Sequence, residues 1–371
     1  MKLSCDREKM LAAFQLAASV VPSRSPKEIL LNIKLEATEE RVTLMSTDMD
    51  TGMRIDVEGV DVQKPGKALL TKDRVANILR ESTDDQLTLE TNESSLIIKG
   101  LHSEFNLPSG NPDEFPTIVG FEENSYFEIP ARLFRELVKR TIFATDTETT
   151  RYALGGVLFE ITGDEITAVG TDGRRLARMQ GKGTPVDGHH TTGMTTIVPV
   201  KALALMERSV SDKDEVVHLA ARQNDILLRT SRCTIFSRLV EGRYPNWRQV
   251  VPSRDNAITI TSTVGPFFSA LRQAAVVADT ESRGVDFQFG QGSLVVASRT
   301  ADIGQSRIEI PISYTGDSIR MTMDHRYVSD FLRVLDLQSN FNLEISSSSE
   351  PALFTTEDGY AYVVMPMARD N

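Results

Sequence analysis

The sequence contains little cysteine and no long apolar run. Its 371 residues include two cysteines, Cys5 and Cys233, which are too few for a disulfide framework or a structural zinc site. No stretch approaches the roughly 18 apolar residues that a membrane-spanning helix needs, and residues 1–7 lack the apolar core of a signal peptide. We therefore expect a cytoplasmic protein with reduced thiols and no membrane partner.

Familiar catalytic motifs are also missing from the sequence. There is no phosphate-binding Gly-rich loop, no Gly-x-Ser-x-Gly and no His-Glu-x-x-His. The adjacent His189 and His190 lie in a polar loop without a cysteine or third histidine nearby, so we expect them to be solvent-exposed. Asp48, Asp50 and Asp172 fit turn chemistry better than a catalytic carboxylate pair. The sequence predicts no enzyme, no metal and no cofactor.

Positive charge is scarce in the chain as a whole, because 41 Lys and Arg face 52 Asp and Glu, a net charge of -11. An acidic protein is not expected to bind nucleic acid unless its cations gather on one surface. We predict six helices, and each of them is neutral or net positive. The excess negative charge therefore belongs to the predicted strands and loops.

A strand that ends at a Thr/Asp corner recurs along the chain, at residues 44–54, 169–178 and, more faintly, 296–304. The aspartates of the three corners are spaced by about the length of a domain rather than a solenoid repeat. We therefore predict three copies of one strand-rich domain, each with two helices, over residues 1–124, 125–253 and 254–371. The six predicted helices cover residues 6–20, 72–81, 130–144, 199–209, 265–278 and 325–337.

The helix predicted over residues 130–144 has the clearest charge pattern. Arg132, Arg135 and Lys139 share one face, opposite an apolar face. One such helix is usually an ordinary solvated surface. Six neutral or basic helices in an acidic chain instead favour sequence-independent contact with phosphates, and no aromatics lie between the cations to stack on bases.

Four motifs, in this order and spacing, resemble the bacterial DNA sliding clamp family, the β subunit of DNA polymerase III. They are RYALGGVLFE at 151–160, TDGRRLA at 171–177, LVEGRYP at 239–245 and YVVMPM at 362–367. The resemblance implies an α+β fold of three tandem DNA-clamp domains, with antiparallel sheets outside and two helices each inside. It also implies a ring-shaped head-to-tail homodimer that encircles duplex DNA as a processivity factor.

The resemblance further implies partners and site residues. The partners would be the DNA polymerase III catalytic subunit, the clamp-loader complex and other proteins with a short clamp-binding motif. The partner-peptide groove would be lined by Leu154, Thr171, Gly173, Arg174, Arg175, Leu176, Pro245, Val250, Val363, Val364, Met365, Pro366 and Met367. The DNA-facing cations would be Arg24, Arg74, Arg80, Arg135, Lys139, Lys201 and Arg272. The dimer interface would include Phe105, Leu107, Val276 and Val277.

Two positions depart from the family pattern, and two other functions compete with this one. Arg174 stands where relatives often have His, and Gln249 where Arg is usual, so the peptide preference is left open. A three-domain hydrolase or transferase would need one deep polar site with strongly shifted pKa values. A free-standing peptide-binding adaptor would share the groove but would leave the basic helices unexplained.

Overall fold

A computed structural model of the protein describes residues 1–92, 95–146, 152–252 and 257–368. The chain divides into two compact units. Unit 1 comprises Met1–Arg135 and Gly183–Leu239, and unit 2 comprises Glu136–Lys182 and the residues from Val240 onward. The predicted boundary between residues 253 and 254 lies outside the described residues, as do Arg151 of the first motif and the tail after Ala368.

The six predicted helices are confirmed within the described part of the chain. They are α1 (Arg7–Ala18), α2 (Lys72–Glu81), α3 (Ala131–Lys139), α4 (Val200–Ser209), α5 (Val264–Ala274) and α6 (His325–Arg333). The prediction that α3 extends to residue 144 was wrong. The Thr141 hydroxyl donates to the Leu137 carbonyl at 2.5 Å, and residues 142–144 form a separate 3-10 turn. α6 is likewise shorter than predicted and ends at Arg333.

Strands make up most of the remaining regular structure. In the first repeat they are β1 (Lys2–Asp6), β2 (Asn32–Ala37), β3 (Val42–Thr47), β4 (Thr51–Asp56), β5 (Val60–Lys64), β6 (Gly66–Thr71), β7 (Gln86–Thr91), β8 (Ser95–Lys99) and β9 (Glu104–Pro108). In the second they are β10 (Tyr126–Pro130), β11 (Gly156–Thr162), β12 (Glu165–Thr171), β13 (Arg175–Lys182), β14 (Thr184–Val186), β15 (Thr196–Pro199), β16 (Val216–Ala221), β17 (Asp225–Arg229) and β18 (Cys233–Arg238). In the third they are β19 (Ile258–Thr263), β20 (Gly284–Gly290), β21 (Ser293–Thr300), β22 (Gly304–Pro311), β23 (Ile319–Asp324), β24 (Asn340–Ile345), β25 (Ala352–Thr355) and β26 (Tyr360–Val364).

Unit 1 contains two antiparallel sheets. One has the order β5-β1-β7-β8-β9, and the other has the order β14-β10-β16-β17-β18-β4-β3-β2-β6. The pairing of β18 with β4, in the register Ile235 to Met53, joins strands of the first and second repeats in one sheet. α1 buries Met10 and Phe14, which lie four residues apart and therefore on the same, core-facing side of the helix.

Unit 2 repeats this arrangement with the second and third repeats. Its larger sheet contains the consecutive strands β11-β12-β13-β26-β25-β24-β19, and its smaller sheet has the order β22-β21-β20-β23. The joint here is the pairing of β13 with β26, in which Leu176 lies opposite Val363. The Phe331 ring of α6 stacks on Tyr360 and Tyr362 of β26, with ring centroids 5.4 Å apart in both pairs. These contacts fix α6 against the joint.

No helix in the described ranges is long and apolar enough to cross a membrane. Both cysteines are unpaired and buried, and burial raises the pKa of each thiol to about 12. The two thiols are therefore protonated at neutral pH and unreactive.

His189 corrects a prediction, because its side chain is buried rather than exposed, whereas His190 is exposed. The Ala221 amide donates to His189 Nε2 at 3.2 Å, and Ser125 Oγ lies 3.2 Å from Nδ1. Since Nε2 must be unprotonated to accept this bond, the folded protein holds the ring neutral. Burial lowers the pKa of His189 below its usual 6.5, and the neighbouring His190 lowers it further.

We predict that the chain loses stability as the pH falls from 7.5 to 5.5. The unfolded His189 takes up a proton below about pH 6.5, whereas the folded side chain, with its lowered pKa, resists protonation. Urea unfolding at the two pH values measures the difference. A His189→Gln variant should show a shallower pH dependence, and exposed His102→Gln, the matched control, should leave it unchanged. An unaltered pH dependence in His189→Gln would show that His189 is not responsible.

Candidate functional site

The corner between β12 and β13 is built by side chains that satisfy its own backbone. Thr171 Oγ1 accepts from the Gly173 amide at 3.1 Å and donates to the Arg175 carbonyl at 2.6 Å. Asp172 Oδ1 accepts from the amides of Arg174 and Arg175 at 2.9 and 3.0 Å. Gly173 has a φ of 88°, which glycine adopts without a Cβ clash. The corner is therefore rigid and presents Arg174 outward.

The corner between β3 and β4 in unit 1 has the same construction. Thr47 Oγ1 accepts from the Met49 amide at 2.9 Å and donates to the Thr51 carbonyl at 2.8 Å. Asp48 Oδ1 accepts from the amides of Asp50 and Thr51 at 3.1 and 2.7 Å. The two corners share the same four hydrogen bonds, which confirms the Thr/Asp repeat predicted from the sequence in two of its three copies. In the third copy, the Thr300 hydroxyl instead donates to the Val277 carbonyl at 2.8 Å.

Arg175 ties the unit 2 corner to α6. Its guanidinium donates to Asp172 Oδ2 at 2.9 Å, to Asp330 Oδ2 at 2.7 Å and to the Phe143 carbonyl at 2.7 Å. It also lies 4.5 Å from the centre of the Tyr327 ring, and its side chain is only 11% exposed. Arg175 is therefore committed to internal contacts and acts by holding the corner, rather than by offering a free cation to a ligand.

The segment after β26 crosses this corner and forms one side of a cavity. The Met365 amide donates to the Arg174 carbonyl at 3.0 Å, and the Met367 amide donates to the Thr322 carbonyl at 2.9 Å. Met365 is 42% exposed, and Pro366 and Met367 are half-buried. The cavity has a volume of about 440 Å³. Five predicted groove residues line it, namely Gly173, Arg174, Met365, Pro366 and Met367.

The other predicted groove residues occupy two further environments. Five of them are buried, namely Leu154, Thr171, Leu176, Val363 and Val364, and contact between a bound peptide and these side chains stays a prediction. Pro245 and Val250 are exposed. Their segment is anchored on unit 2 strands, because the Tyr244 hydroxyl donates to the Val169 carbonyl at 2.8 Å and Trp247 Nε1 donates to Glu160 at 3.2 Å.

The same cavity is lined by residues that sequence reasoning missed, chiefly Arg283, Arg326 and Tyr327. Arg326 and Tyr327 belong to the first turn of α6, directly after Asp324, whose carboxylate accepts from the Arg326 amide at 2.8 Å. The sequence did offer a signal for Arg326 and Tyr327, because a charged and an aromatic residue follow a helix cap and lie outside the apolar face of the helix. No such signal marked Arg283, because its position depends on the turn before β20, in which Arg283 itself has a φ of 58°.

The predicted DNA-facing cations differ in how freely they are exposed. Arg24, Arg74 and Lys139 are exposed. Lys201 pairs with Asp48 at 2.7 Å, Arg135 with Asp212 at 3.1 Å and Arg80 with Glu81 at 3.2 Å. Arg272 is exposed and lies 5.0 Å from the centre of the Phe268 ring. Contact of these side chains with DNA stays a prediction.

The predicted dimer residues lie where a partner could reach them. Phe105 is 37% exposed on β9, the edge strand of the smaller unit 1 sheet, and Leu107 on the same strand is half-buried. Val276 is 78% exposed in the 3-10 turn after α5, and Val277 is half-buried. An unpaired edge strand with apolar side chains is a surface that proteins usually cover. The pairing of these surfaces stays a prediction.

No group of three or more His, Cys, Asp or Glu suited to a metal occurs among the residues that the structure describes. The described ranges therefore provide no candidate metal centre, and the cavity beside the corner is the main candidate site.

Comparison with known proteins places this geometry in a class of replication proteins. The models for the N-terminal, central and C-terminal domains of the DNA polymerase III beta subunit match residues 1–119, 128–246 and 248–368. Three such domains in tandem, joined by shared sheets, define the DNA-clamp fold. The chain belongs to the DNA polymerase III β subunit family, the bacterial sliding clamps.

Individual relatives match along their whole length. The beta sliding clamps of Pseudomonas aeruginosa and Caulobacter vibrioides are each 28% identical, over 370 and 376 residues, and each match covers 99% of this chain and 100% of the relative. The crystal structure of the Pseudomonas aeruginosa DNA polymerase III subunit beta has a TM-score of 0.90 at 26% identity, with complete coverage of both chains. The Bacillus subtilis sliding clamp, at 23% identity, has the same fold, with a TM-score of 0.92 and coverage of 100% of this chain and 99% of that one.

We predict that Arg175→Ala destabilises the protein by about 3 kcal/mol, because it removes the guanidinium that donates to one oxygen of each of two partly buried carboxylates and to a carbonyl. Chemical denaturation measures the change. Arg248→Ala is the control, since its side chain is 62% exposed and pairs with Glu160 at the surface, which contributes less than about 1 kcal/mol. Equal destabilisation by the two substitutions would contradict the role assigned to Arg175.

Proposed function

We propose that the chain is a sliding clamp, a non-catalytic processivity factor that encircles duplex DNA. It would tether the replicative polymerase and other replication and repair proteins through the cavity beside the unit 2 corner. The observation that carries the proposal is the match of all three family domains in order, together with a cavity that Met365, Pro366 and Met367 line beside the sheet that joins the second and third repeats. We further propose the cytoplasm as its location.

The composition of the cavity supports binding of a short peptide. Met365, Pro366 and Met367 provide apolar and adaptable surface, and the rigid corner beside them gives a fixed edge. Short extended peptides with apolar anchors suit such a groove. A Pseudomonas aeruginosa sliding clamp, 26% identical to this chain, has been crystallised with griselimycin bound. We infer that the polymerase, the clamp loader and other partners present a short motif to this groove.

DNA binding is supported by the charge of the helices. Each of the six helices is neutral or basic, although the net charge of the chain is -11. We propose that two chains of three domains close head to tail, with Phe105 and Leu107 of one protomer against Val276 and Val277 of its partner. The six helices of each protomer would then face the enclosed DNA, where they contact phosphates without reading sequence.

We predict that the clamp, once loaded on circular DNA by its loader, stays bound until the circle is cut. A closed ring is held by topology, so cutting the circle should release most of the protein within minutes, while the uncut circle retains it. Gel filtration of the protein–DNA complex before and after cutting measures retention. Equal dissociation from linear and circular DNA would contradict the topological mechanism and would favour the adaptor hypothesis.

We predict that the double variant Met365→Ala/Met367→Ala binds a polymerase-derived motif peptide at least about tenfold more weakly than the unaltered chain. The substitutions remove two apolar anchors from the cavity, and tenfold corresponds to about 1.4 kcal/mol. Fluorescence anisotropy measures the affinity. Val216→Ala, at a 43% exposed position in unit 1, is the control and should bind normally. Unchanged affinity in the double variant would place the groove elsewhere.

A further inference from the structure

A second and larger cavity adjoins the peptide cavity in unit 2. Its volume is about 1080 Å³, and the two cavities share the side chains of Arg174, Arg283, Arg326 and Tyr327. Six arginines line the larger cavity, namely Arg174, Arg175, Arg272, Arg283, Arg326 and Arg333. We call it the arginine cleft. A chain bound over Met365 and Met367 would thus reach a strongly basic surface within a few residues.

The arginines of the cleft differ in whether they already have an acidic partner. Arg175 and Arg333 share Asp330, at 2.7 and 3.0 Å, and Arg326 pairs with Asp324 at 3.2 Å. The remaining three, Arg174, Arg272 and Arg283, form no ion pair with any carboxylate in the part of the chain that the structure describes. The cleft therefore has an excess of positive charge, with guanidinium donors available for a ligand.

The positions of these arginines are set by local structure. Arg174 projects from the rigid corner, and Arg272 lies against the Phe268 ring. Arg283 Nε donates to the Thr280 carbonyl at 3.1 Å, which fixes the stem of its guanidinium. Burial lowers the pKa of nearby His325 below its usual 6.5, so the arginines alone supply the positive charge at neutral pH.

The lining of the cleft selects against apolar ligands. Its apolar contributors are few, chiefly Ala275, the ring of Tyr327 and Val276, which is a partner contact in the proposed dimer. Guanidinium groups bind carboxylates through paired, charge-assisted hydrogen bonds. An anionic ligand therefore fits the cleft better than a further hydrophobic anchor.

We propose that the arginine cleft binds acidic side chains next to the apolar anchors of a partner peptide, and so selects partners whose motif has an acidic flank. The proposal rests on the peptide-binding function proposed above. Continuity with the peptide cavity is the main argument, because one bound segment can occupy both. Arg174, which stands at the boundary between the cavities, would contact the first flanking residue.

The carboxylates in the cleft favour a peptide over a nucleic acid strand. Asp146, Asp172 and Asp330 lie among the arginines. A strand of DNA carries one negative charge about every 3.4 Å, so a continuous run of phosphates would be held against these carboxylates. Separate Asp or Glu side chains can instead approach single guanidinium groups in the gaps between them.

The test uses three fluorescein-labelled peptides with the same Leu and Phe anchors. One has four Gln on each side of the anchors, one replaces the preceding four with Glu, and one replaces the following four with Glu. Anisotropy titration of the full-length protein at 50 mM NaCl should show one Glu-flanked peptide binding about tenfold tighter than the Gln peptide. At 500 mM NaCl the preference should shrink to about twofold, because salt screens exposed charge pairs.

The variant Arg283→Gln/Arg326→Gln should reduce the preference, measured as the ratio of its affinities for the Glu-flanked and all-Gln peptides, to about twofold. Lys182→Gln/Arg320→Gln removes the same charge from unit 2 outside both cavities and should keep the preference. Equal binding of Gln and Glu peptides to the unaltered chain, or a preference that survives in Arg283→Gln/Arg326→Gln, would overturn the proposal.

Two further outcomes separate the related hypotheses. If the all-Gln peptide binds and the Glu peptides bind no tighter, the peptide groove stands and only the acidic preference is wrong. If none of the peptides binds, both the groove and the preference fail. Equal peptide affinities, together with a 20-nucleotide oligonucleotide that binds tenfold more weakly to Arg283→Gln/Arg326→Gln, would overturn the proposal and assign the cleft to nucleic acid.

Discussion

The backbone ladder between β13 and β26 is the constraint on which the candidate site depends. It brings the corner at Asp172 and Gly173 beside the segment that begins at Met365, although the two are almost 200 residues apart in the sequence. Arg175 then locks the corner to α6 through Asp330. Because one guanidinium satisfies both carboxylates and a carbonyl, the position of the cavity edge is determined by a contact that a ligand does not need to make.

Strands of neighbouring repeats pair at two places, β18 with β4 and β13 with β26, and the corners beside these pairings show how one architecture can carry different sites. Both corners use a Thr and an Asp to bind the same backbone groups, and both need a positive φ at the third residue, Met49 or Gly173. The unit 1 corner continues with Asp50, whereas the unit 2 corner continues with two arginines. The hydrogen bonds of the corner backbone are therefore what repeats. The chemistry of each corner depends on the side chains that do not take part in those bonds.

Much of the fold could be predicted from the sequence, because its signals are local. Local signals located all six helices, such as the apolar face of residues 130–144, and the Thr/Asp corner revealed the repeats. The end of α3 at Lys139 was missed, because the apolar pattern of the sequence continues past it into the 3-10 turn at residues 142–144. His189 was expected at the surface, because nothing near it in sequence indicates that Ser125 and Ala221 enclose its ring.

The candidate site was only partly predictable, because it too depends on contacts between residues that are far apart in the sequence. The resemblance identified the corner and the segment at Met365, and five of those residues share one cavity. It did not distinguish Arg174, which is exposed, from its neighbour Arg175, which is half-buried and committed to contacts with Asp330 and Phe143. Arg283 and Tyr327 reach the cavity from the third repeat, and such tertiary contacts leave no pattern in a single sequence.

The most direct test of the central claim is a crystal structure of the full chain with a bound peptide that has Leu and Phe anchors and a Glu flank. The claim is that one continuous surface of unit 2 binds a partner peptide. We expect the anchors to lie against Met365 and Met367, and at least one Glu carboxylate to lie within ion-pair distance of Arg174 or Arg283. A peptide bound at another surface, or one whose acidic flank turns away from these arginines, would contradict it.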